Sequence, residues 1–289
     1  MLLARLGDTI ELASHFSMHS LVLAAVLLPA LLLARMRKML LVASGVMLIL
    51  LVVVAPWKLL PIKPRVSKSL TEQFTVLSWN VLSSNYELEK IDQVIAEEDA
   101  DILILIEVRE GFLEKLPSLS RYKSGLVHTS WRGGGIAVLT KQPDVKMTLH
   151  EFDYPTQPAV SVTLGSGGRQ MQFLAVHTFS PMPISRTPHR DRQLDSFVEW
   201  SLQQQQPVCM TGDLNITPWA PAFQRISGAG FKDSRWGVGN CASWPSVLGP
   251  LGIPIDHAMT LGECEITNRR VLPQAPGSDH RPIAFTLHF

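Results

Sequence analysis

The sequence predicts an α/β or α+β sandwich, with β-sheets inside and helices outside, preceded by a pair of membrane-spanning helices. Three observations lead to this prediction: a length of 289 residues, two long uncharged apolar runs near the N-terminus, and short apolar runs separated by turn residues after Thr71. The length suits one large domain of about 200–250 residues plus an appendage. We therefore expect a membrane anchor over residues 1–57, a juxtamembrane linker over 58–70 and a folded domain over 71–289.

Composition excludes two classes of protein. Charged residues make up 18% of the chain and hydrophobic residues 46%, so the chain is not intrinsically disordered. The three cysteines, Cys209, Cys241 and Cys264, leave at least one thiol unpaired and lack the C-x-x-C spacing of a structural zinc site. No disulfide scaffold is expected.

The anchor is predicted from two apolar runs at 16–34 and 39–57, neither of which contains Asp, Glu, Lys or Arg. A helix of about 19 residues is roughly 28 Å long, close to the hydrocarbon thickness of a bilayer. We therefore expect a transmembrane hairpin that turns at residues 35–38, with the lipid bilayer as the partner of residues 16–57. A buried helix pair and a cleaved signal peptide are the alternatives.

The orientation of the hairpin in the membrane is contested by two groups of basic residues. The turn between the apolar runs contains Arg35, Arg37 and Lys38. The segment after the second run contains Lys58, Lys63, Arg65 and Lys68. The turn residues lie closest to the spans and favour a cytoplasmic turn, which places the large domain outside the cytoplasm at the inner (cytoplasmic) membrane. The second group favours the opposite orientation.

The folded domain is predicted from apolar runs of strand length and two amphipathic segments. The expected strands cover 74–82, 101–108, 134–140, 159–164, 171–178, 207–214, 255–260 and 282–289. The expected helices cover 88–98 and 191–204, where apolar residues recur on one face. Many strands with few helices indicate sheets covered by helices.

Polar side chains occur at or near the ends of several of these strands. They are Asn80, Glu107, His177, Asp213, Asn215, Asp256, Asp279 and His280. Burial of a carboxylate at such a place is costly unless it is paired, hydrogen-bonded or bound to a metal. If these ends converge, the side chains form an active site.

Six short motifs in this order carry a resemblance to a known family: WN at 79–80, LIE at 105–107, VH at 176–177, GDLN at 212–215, ID at 255–256 and SDH at 278–280. They resemble the endonuclease/exonuclease/phosphatase superfamily, which includes deoxyribonuclease I, inositol-polyphosphate 5-phosphatases and neutral sphingomyelinases. The resemblance covers residues 74–289 and includes the glycine-rich RGGGIAVLT at 132–140. It implies a four-layered α/β sandwich of two packed mixed sheets, in a membrane-anchored member of bacterial type.

The resemblance also implies a metal-dependent phosphoric ester hydrolase, with Mg²⁺ as the cofactor and Mn²⁺ as the alternative ion. Glu107 would be the main metal carboxylate, and Asn80 would support the metal or the phosphate. Asp256 would support these groups or bind a second metal. Taken alone, Glu107 has another interpretation, as an exposed acid paired with Arg109.

The remaining motif residues receive catalytic roles from the same resemblance. Asp213 would orient and deprotonate the attacking water, which Asn215 would help to hold. His280 would contact the scissile phosphate and be oriented by Asp279 through its other ring nitrogen. His177 would donate a hydrogen bond to another phosphate oxygen.

The substrate stays open between a nucleic acid and a phospholipid headgroup. Residues 70–289 carry 18 basic against 23 acidic residues, which removes the strongest reason to choose DNA, because the phosphate backbone supplies most of the affinity in nucleic-acid binding. Arg190 and Asn215 are the expected substrate contacts, although Arg190 has the alternative role of a solvated helix charge. No obligate protein partner is implied. The alternative function is a catalytically silent, membrane-tethered binding scaffold of the same fold.

Overall fold

A computed structural model describes residues 11–62, 66–67, 69–152, 154–165 and 169–289. The expected linker at 58–70 is therefore only partly described. Residues 1–10 of the expected anchor and the linker residues Lys63, Arg65 and Lys68 lie outside the described residues.

The N-terminal part of the described chain is a helical hairpin with an apolar surface. Helix α1 covers Ser17–Leu33 and helix α2 covers Arg37–Val54, and the two pack against each other. Within the described ranges, α2 is the helix that is long and apolar enough to cross a membrane, with a mean hydropathy of 2.2, and α1 is an apolar helix one residue shorter. Most of their leucine and valine side chains are exposed. An exposed apolar surface of this size is typical of a membrane or protein contact.

The hairpin differs from the sequence prediction at its turn and at its end. The turn consists of residues 34–36, so Arg37 lies in the first turn of α2 rather than in the loop. Helix α2 ends at Val54, three residues before the predicted boundary, because Ala55 adopts a left-handed conformation before Pro56. Proline disfavours helical geometry in the residue that precedes it.

Two six-stranded mixed sheets form the centre of the domain. The strands are β1 (Gln73–Asn80), β2 (Ile102–Ile106), β3 (Ser124–His128), β4 (Ile136–Thr140), β5 (Met147–His150), β6 (Ala159–Leu164), β7 (Met171–His177), β8 (Val208–Asp213), β9 (Lys232–Asp233), β10 (Asp256–Leu261), β11 (Glu265–Val271) and β12 (Ile283–His288). Their order is β11-β12-β1-β2-β4-β3 in the first sheet and β5-β6-β7-β8-β10-β9 in the second. The β1–β2 and β7–β8 pairs are parallel, and the other pairs are antiparallel.

The two sheets pack face to face, and helices cover their outer faces. In β2 the residues Ile104 and Ile106 belong to the core between the sheets, whereas Leu103 and Leu105 belong to the outer core under helix α3 (Leu88–Glu98). This alternation follows from the two-residue period of a strand. Helices α4 (Thr187–Leu202) and α5 (Pro221–Gly228) cover the second sheet. The predicted α/β sandwich of four layers is confirmed.

The topology brings the polar strand ends together at one edge of the sandwich. In the first sheet Asn80, the last residue of β1, is level with Ile106, the residue before Glu107. In the second sheet Asp213, the last residue of β8, pairs with His177 of β7 on one side and with Asp256 of β10 on the other. Contacts between β1 and β8 join the two sheets at this edge.

Candidate active site

Asn80 connects the functional side chains of the two sheets. Its side-chain Nδ2 donates hydrogen bonds to Glu107 Oε1 at 3.0 Å and to Asp213 Oδ2 at 3.1 Å. Its Oδ1 accepts the backbone N–H of Leu82 at 3.1 Å, which fixes the orientation of the amide. The buried Asn80 amide therefore contacts two carboxylates, Glu107 of the first sheet and Asp213 of the second.

Glu107 is held by the backbone on both sides. Its φ of 65° turns the chain sharply at the end of β2, and its N–H donates to Gly135 O at 2.7 Å. Its Oε2 accepts the N–H of Ser83 at 3.1 Å. Burial raises the pKa of Glu107, but His177, the Asn80 amide and the Ser83 N–H outweigh burial and lower it. The carboxylate is therefore ionised near neutral pH.

The alternative pairing of Glu107 with Arg109 is not formed. The Arg109 guanidinium donates instead to the carbonyl oxygens of Ser83 and Asn85, at 3.3 and 3.0 Å, and it stacks on Tyr86. Glu107 makes no salt bridge to a Lys or Arg residue within the described part of the chain.

Asp213 is the most deeply buried carboxylate of the site. Only 1% of the residue is exposed, and its Oδ1 accepts the N–H of Asn215 at 2.9 Å. Burial, together with the neighbouring charge of Asp256, raises the pKa of Asp213 to about 7 against the attraction of His280. A carboxyl group with a pKa near neutral pH suits a general base.

His280 is paired with Asp256, which corrects the sequence-based expectation of Asp279. His280 Nδ1 lies 2.9 Å from Asp256 Oδ2, whereas Asp279 Oδ2 accepts a hydrogen bond from Trp244 Nε1 at 2.9 Å. The reason is that Asp256, at the start of β10, lies inside the cluster, while the Asp279 side chain turns toward the Trp244 loop. Burial lowers the pKa of His280, but Asp256 and Asp213 outweigh burial and raise it to about 10.

The two imidazoles both lie close to the Asp213 carboxylate. His280 Nε2 lies 3.6 Å and His177 Nε2 lies 3.7 Å from Asp213 Oδ2, which is longer than a hydrogen bond. Burial lowers the pKa of His177. The site therefore combines a charged imidazole, His280, with a neutral one, His177, and both residues border the same cavity.

Arg190 does not line this cavity, which corrects the expected substrate contact. The residue is completely buried, because its guanidinium is enclosed by Glu11 at 2.7 Å and Asp191 at 2.6 Å. It also donates to the carbonyl oxygen of Asn215 at 3.3 Å, so its contact with the site is through the backbone. Asn215 itself borders the cavity, and its Nδ2 donates to Thr178 O at 3.0 Å.

The cavity has a volume of about 840 Å³ and includes residues that the sequence analysis did not single out. Among them are Leu12, His15, Phe16, Ser83, Gln157, Phe179, Met182, Arg186, Trp244, Ile253 and Ile255. Arg132 also borders it and lies in the glycine-rich motif at 132–140. For the N-terminal members, the available signal was an acidic residue, Glu11, shortly before an uncharged run.

The donor set fits a divalent cation. Asp213, Asp256 and His280 each offer a ligand atom, and these atoms lie within 4.8 Å of one another. Glu107, the nearest carboxylate of the other sheet, shares the Asn80 amide with Asp213. Carboxylate and amide oxygens are preferred by Mg²⁺ and Mn²⁺. Since His280 Nδ1 is already bonded to Asp256, the carboxylate of Glu107 is the better ligand.

Gly135→Ala is expected to destabilise the protein by about 1–3 kcal/mol and to lower any activity that depends on Glu107. A Cβ atom at this position would lie 1.8 Å from Val108 O, so the strand that holds the Glu107 N–H must move. The free energy of unfolding of the detergent-solubilised chain, from urea titration of tryptophan fluorescence, measures the effect.

Gly228→Ala is the matched control, because a Cβ atom there has no neighbour within 4 Å. It should change the free energy of unfolding by no more than about 0.5 kcal/mol. Equal midpoints for the Gly135 and Gly228 variants would contradict the proposed backbone constraint on Glu107.

Comparison with known proteins agrees with this geometry. The sequence model of the Endonuclease/Exonuclease/phosphatase family matches residues 77–280. No curated protein matches the sequence. Two of the most similar solved structures are a humanized TDP2 from D. rerio, with 14% identity over 76% of this chain and 100% of that chain at a TM-score of 0.65, and an endonuclease/exonuclease/phosphatase from Bacteroides vulgatus, with 15% identity over 75% and 99% at a TM-score of 0.60. D. rerio TDP2 complexed with a single strand DNA product has 14% identity over 76% and 100% at a TM-score of 0.62.

Proposed function

The chain belongs to the endonuclease/exonuclease/phosphatase family, and we propose that it is a Mg²⁺-dependent hydrolase of phosphate esters, with Mn²⁺ as an alternative ion. Hydrolysis of phosphate esters with a divalent metal is the chemistry of this family. The observation that carries the proposal is the cluster of three carboxylates and two imidazoles at one edge of the sandwich. In the ranges that the structure describes, none of these carboxylate side chains pairs with Lys or Arg.

The metal would be held by the carboxylate of Glu107, which the Asn80 amide positions through its Nδ2, with Asp256 as the further carboxylate. It would supply positive charge to the non-bridging oxygens of the phosphate and so stabilise the charge that develops during the reaction. Because the carboxylates of the described site have no Lys or Arg partner, their charge would be compensated by the cation and by His280, while Arg132 and Arg186 border the cavity.

The side chains have separate tasks in the proposed reaction. Asp213 accepts a proton from the attacking water, whose oxygen forms a new bond to phosphorus while the bond to the leaving oxygen breaks. His280 keeps its Nε2 proton directed at a phosphate oxygen, because Asp256 occupies its Nδ1. His177 donates to another phosphate oxygen. Asn215 holds the Asp213 carboxylate through its N–H.

We also propose that α1 and α2 insert in a bilayer as a hairpin. In this arrangement residues 1–57 form the anchor, 58–70 the linker and 71–289 the catalytic domain. The exposed apolar surface of both helices supports insertion. We favour the inner membrane with the catalytic domain outside the cytoplasm, since Arg35 lies in the turn of the hairpin and Arg37 directly follows it, at the start of α2.

The silent scaffold is the less favoured alternative. Every motif position carries a residue that can perform its task, and Asp213 and His280 have pKa values shifted in the directions that a base and a charged donor require. Perturbed pKa values of this kind are typical of catalytic sites. A nucleic acid remains a candidate substrate, because D. rerio TDP2 was crystallised with a single strand DNA product.

We expect the purified full chain in detergent to hydrolyse bis-p-nitrophenyl phosphate only with a divalent metal. EDTA should lower the rate by at least about 100-fold, and added Mg²⁺ should restore it. The measurement is release of nitrophenol. Hydrolysis that resists EDTA, or no hydrolysis with either Mg²⁺ or Mn²⁺, would contradict the proposal.

Metal titration by calorimetry separates the enzyme from the scaffold. Glu107→Gln should weaken Mg²⁺ binding at least about tenfold. Mutation of a residue that only hydrogen-bonds to a metal ligand already lowers metal affinity or activity about 10–100-fold. Glu263→Gln is the control, because Glu263 is exposed beside Pro207 and Leu261, at the opposite end of β8 from Asp213.

A further inference from the structure

The N-terminal segment forms one wall of the active-site cavity. Leu12, His15 and Phe16 border the same cavity as Glu107 and His280. Helix α1 begins at Ser17, directly after this wall. The cavity therefore lies at the place where the chain enters the apolar hairpin.

Polar contacts fix this wall to helix α4 and to the segment after β8 that contains Asn215. Glu11 Oε1 pairs with Arg190 Nη2 at 2.7 Å and with His15 Nε2 at 3.2 Å. His15 Nδ1 accepts the N–H of Thr217 at 3.1 Å, two residues after Asn215. All three side chains are buried or nearly so. A buried ion pair that joins two distant segments indicates a defined position rather than a loose contact.

The other end of the hairpin is fixed to the same side of the domain. Val54 at the end of α2 and Leu21 in α1 pack around Trp219. The next residues carry exposed Trp57 and Lys58, and Lys58 lies over the Trp236 ring at 4.6 Å. Tryptophan and lysine side chains are common at the boundary between lipid and water. Both ends of the hairpin thus define one membrane-facing side of the domain.

An exposed apolar loop continues this side beside the cavity. Val247, Leu248 and Leu251 are 88%, 50% and 70% exposed. The loop contacts α1, because His19 Nε2 lies 2.7 Å from Leu251 O. The loop also contacts the residue before His280, since Ser246 N donates a hydrogen bond to Asp279 O at 2.7 Å.

The cavity itself has a polar floor and an apolar border. Leu12, Phe16, Met182, Trp244 and Ile253 surround the carboxylates and imidazoles. Arg132 and Arg186 are the basic residues on this border, enough to contact one phosphate group but short of the row of positive charges along which a nucleic-acid backbone binds. The border does match a molecule with a charged phosphate and an apolar tail.

We propose that the cavity receives a membrane phospholipid directly from the bilayer, with residues 11–16 and the loop 246–251 guiding the headgroup to the polar floor. This inference rests on the proposed function and on insertion of the hairpin. Water adds to phosphorus, one P–O ester bond breaks, and the released alcohol takes a proton, as in any phosphodiester hydrolysis. A phospholipid held at the membrane-facing side needs no transfer through water.

The test compares a lipid with soluble substrates in the full chain reconstituted in vesicles of phosphatidylglycerol and phosphatidylethanolamine with Mg²⁺. Lipid hydrolysis is followed by ³¹P NMR, and bis-p-nitrophenyl phosphate and single-stranded DNA are assayed in the same vesicles. We expect the lipids to be hydrolysed with a rate per phosphate at least tenfold above that of DNA. The triple variant Val247→Ser, Leu248→Ser, Leu251→Ser should lower lipid hydrolysis at least tenfold and change nitrophenol release less than twofold.

Leu202→Ser is the matched control. Leu202 is an exposed leucine at the end of α4 that precedes β8, at the opposite end of this strand from Asp213, so neither activity should change. Nitrophenol release or DNA cleavage without lipid hydrolysis would overturn the inference and leave the proposed function intact. Equal loss of lipid and soluble activity in the triple variant would also overturn it. No hydrolysis of any of the three substrates would overturn the proposed function itself.

Discussion

Asp213→Asn is expected to reduce kcat for bis-p-nitrophenyl phosphate by about 10²–10⁴-fold without unfolding the protein. The carboxylate is the group of the site with a pKa near neutral pH, and asparagine has the same shape but cannot accept the proton of water. Asparagine can still accept the N–H of Asn215, so the loop after β8 keeps its hydrogen bond. The measurement is the rate of nitrophenol release at saturating Mg²⁺.

Stability provides the control for this variant. Folded Asp213 keeps its proton up to about pH 7, whereas the unfolded group loses it near the ordinary pKa of 3.8. The folded state thus binds more protons between these values, and the metal-free wild-type protein loses stability as pH rises through this window. Asp213→Asn removes this loss, but its Nδ2 cannot accept the Asn80 Nδ2 hydrogen bond, so we expect the free energy of unfolding at pH 7 to stay within about 1–2 kcal/mol of wild type. Asp195→Asn, on the surface of α4, should change neither kcat nor stability, and retained turnover in Asp213→Asn would remove the assignment as base.

The parts of the fold that sequence analysis found are those in which burial fixes the residue type. Strand β2 is covered on both faces and appears as the continuous apolar run ILILI, and β8, buried throughout, begins with the apolar residues VCM. Strand β11 was missed because its sequence, EITNRRV, lies at the edge of a sheet and is mostly polar or half-buried. Helix α4 begins at Thr187, four residues before the predicted start, because Pro188 is favourable in the first turn.

The site was predictable in its members but not in its pairings. Motif order indicates that Asp213 and His280 belong to one site, because strand ends on one edge of a sandwich converge. The sequence neighbour Asp279 looked like the partner of His280, yet register places Asp256 beside Asp213 and so beside His280. The wall formed by Leu12 and Phe16 was not predictable either, because it depends on where a distant segment docks.

His280→Asn is expected to lower kcat by about 10²–10³-fold, because it removes the charged Nε2 donor. The asparagine amide can replace Nδ1 as the donor to Asp256 Oδ2, so the buried carboxylate keeps a partner. Asp256→Asn has a different expected result. It removes one of the charges that raise the pKa of His280 to about 10, so His280 loses its proton at a lower pH. The alkaline limb of the pH profile of kcat/KM should therefore move to lower pH.

Asp279→Asn decides between the two possible partners of His280. Its carboxylate accepts from Trp244 rather than from His280, and its charge has a smaller effect on the pKa of His280 than those of Asp256 and Asp213. The alkaline limb should therefore move less in Asp279→Asn than in Asp256→Asn. A larger displacement in Asp279→Asn would restore the partner expected from sequence and contradict the pairing in the structure. Since both substitutions replace one carboxylate by an amide, the comparison isolates the position of the charge as the cause.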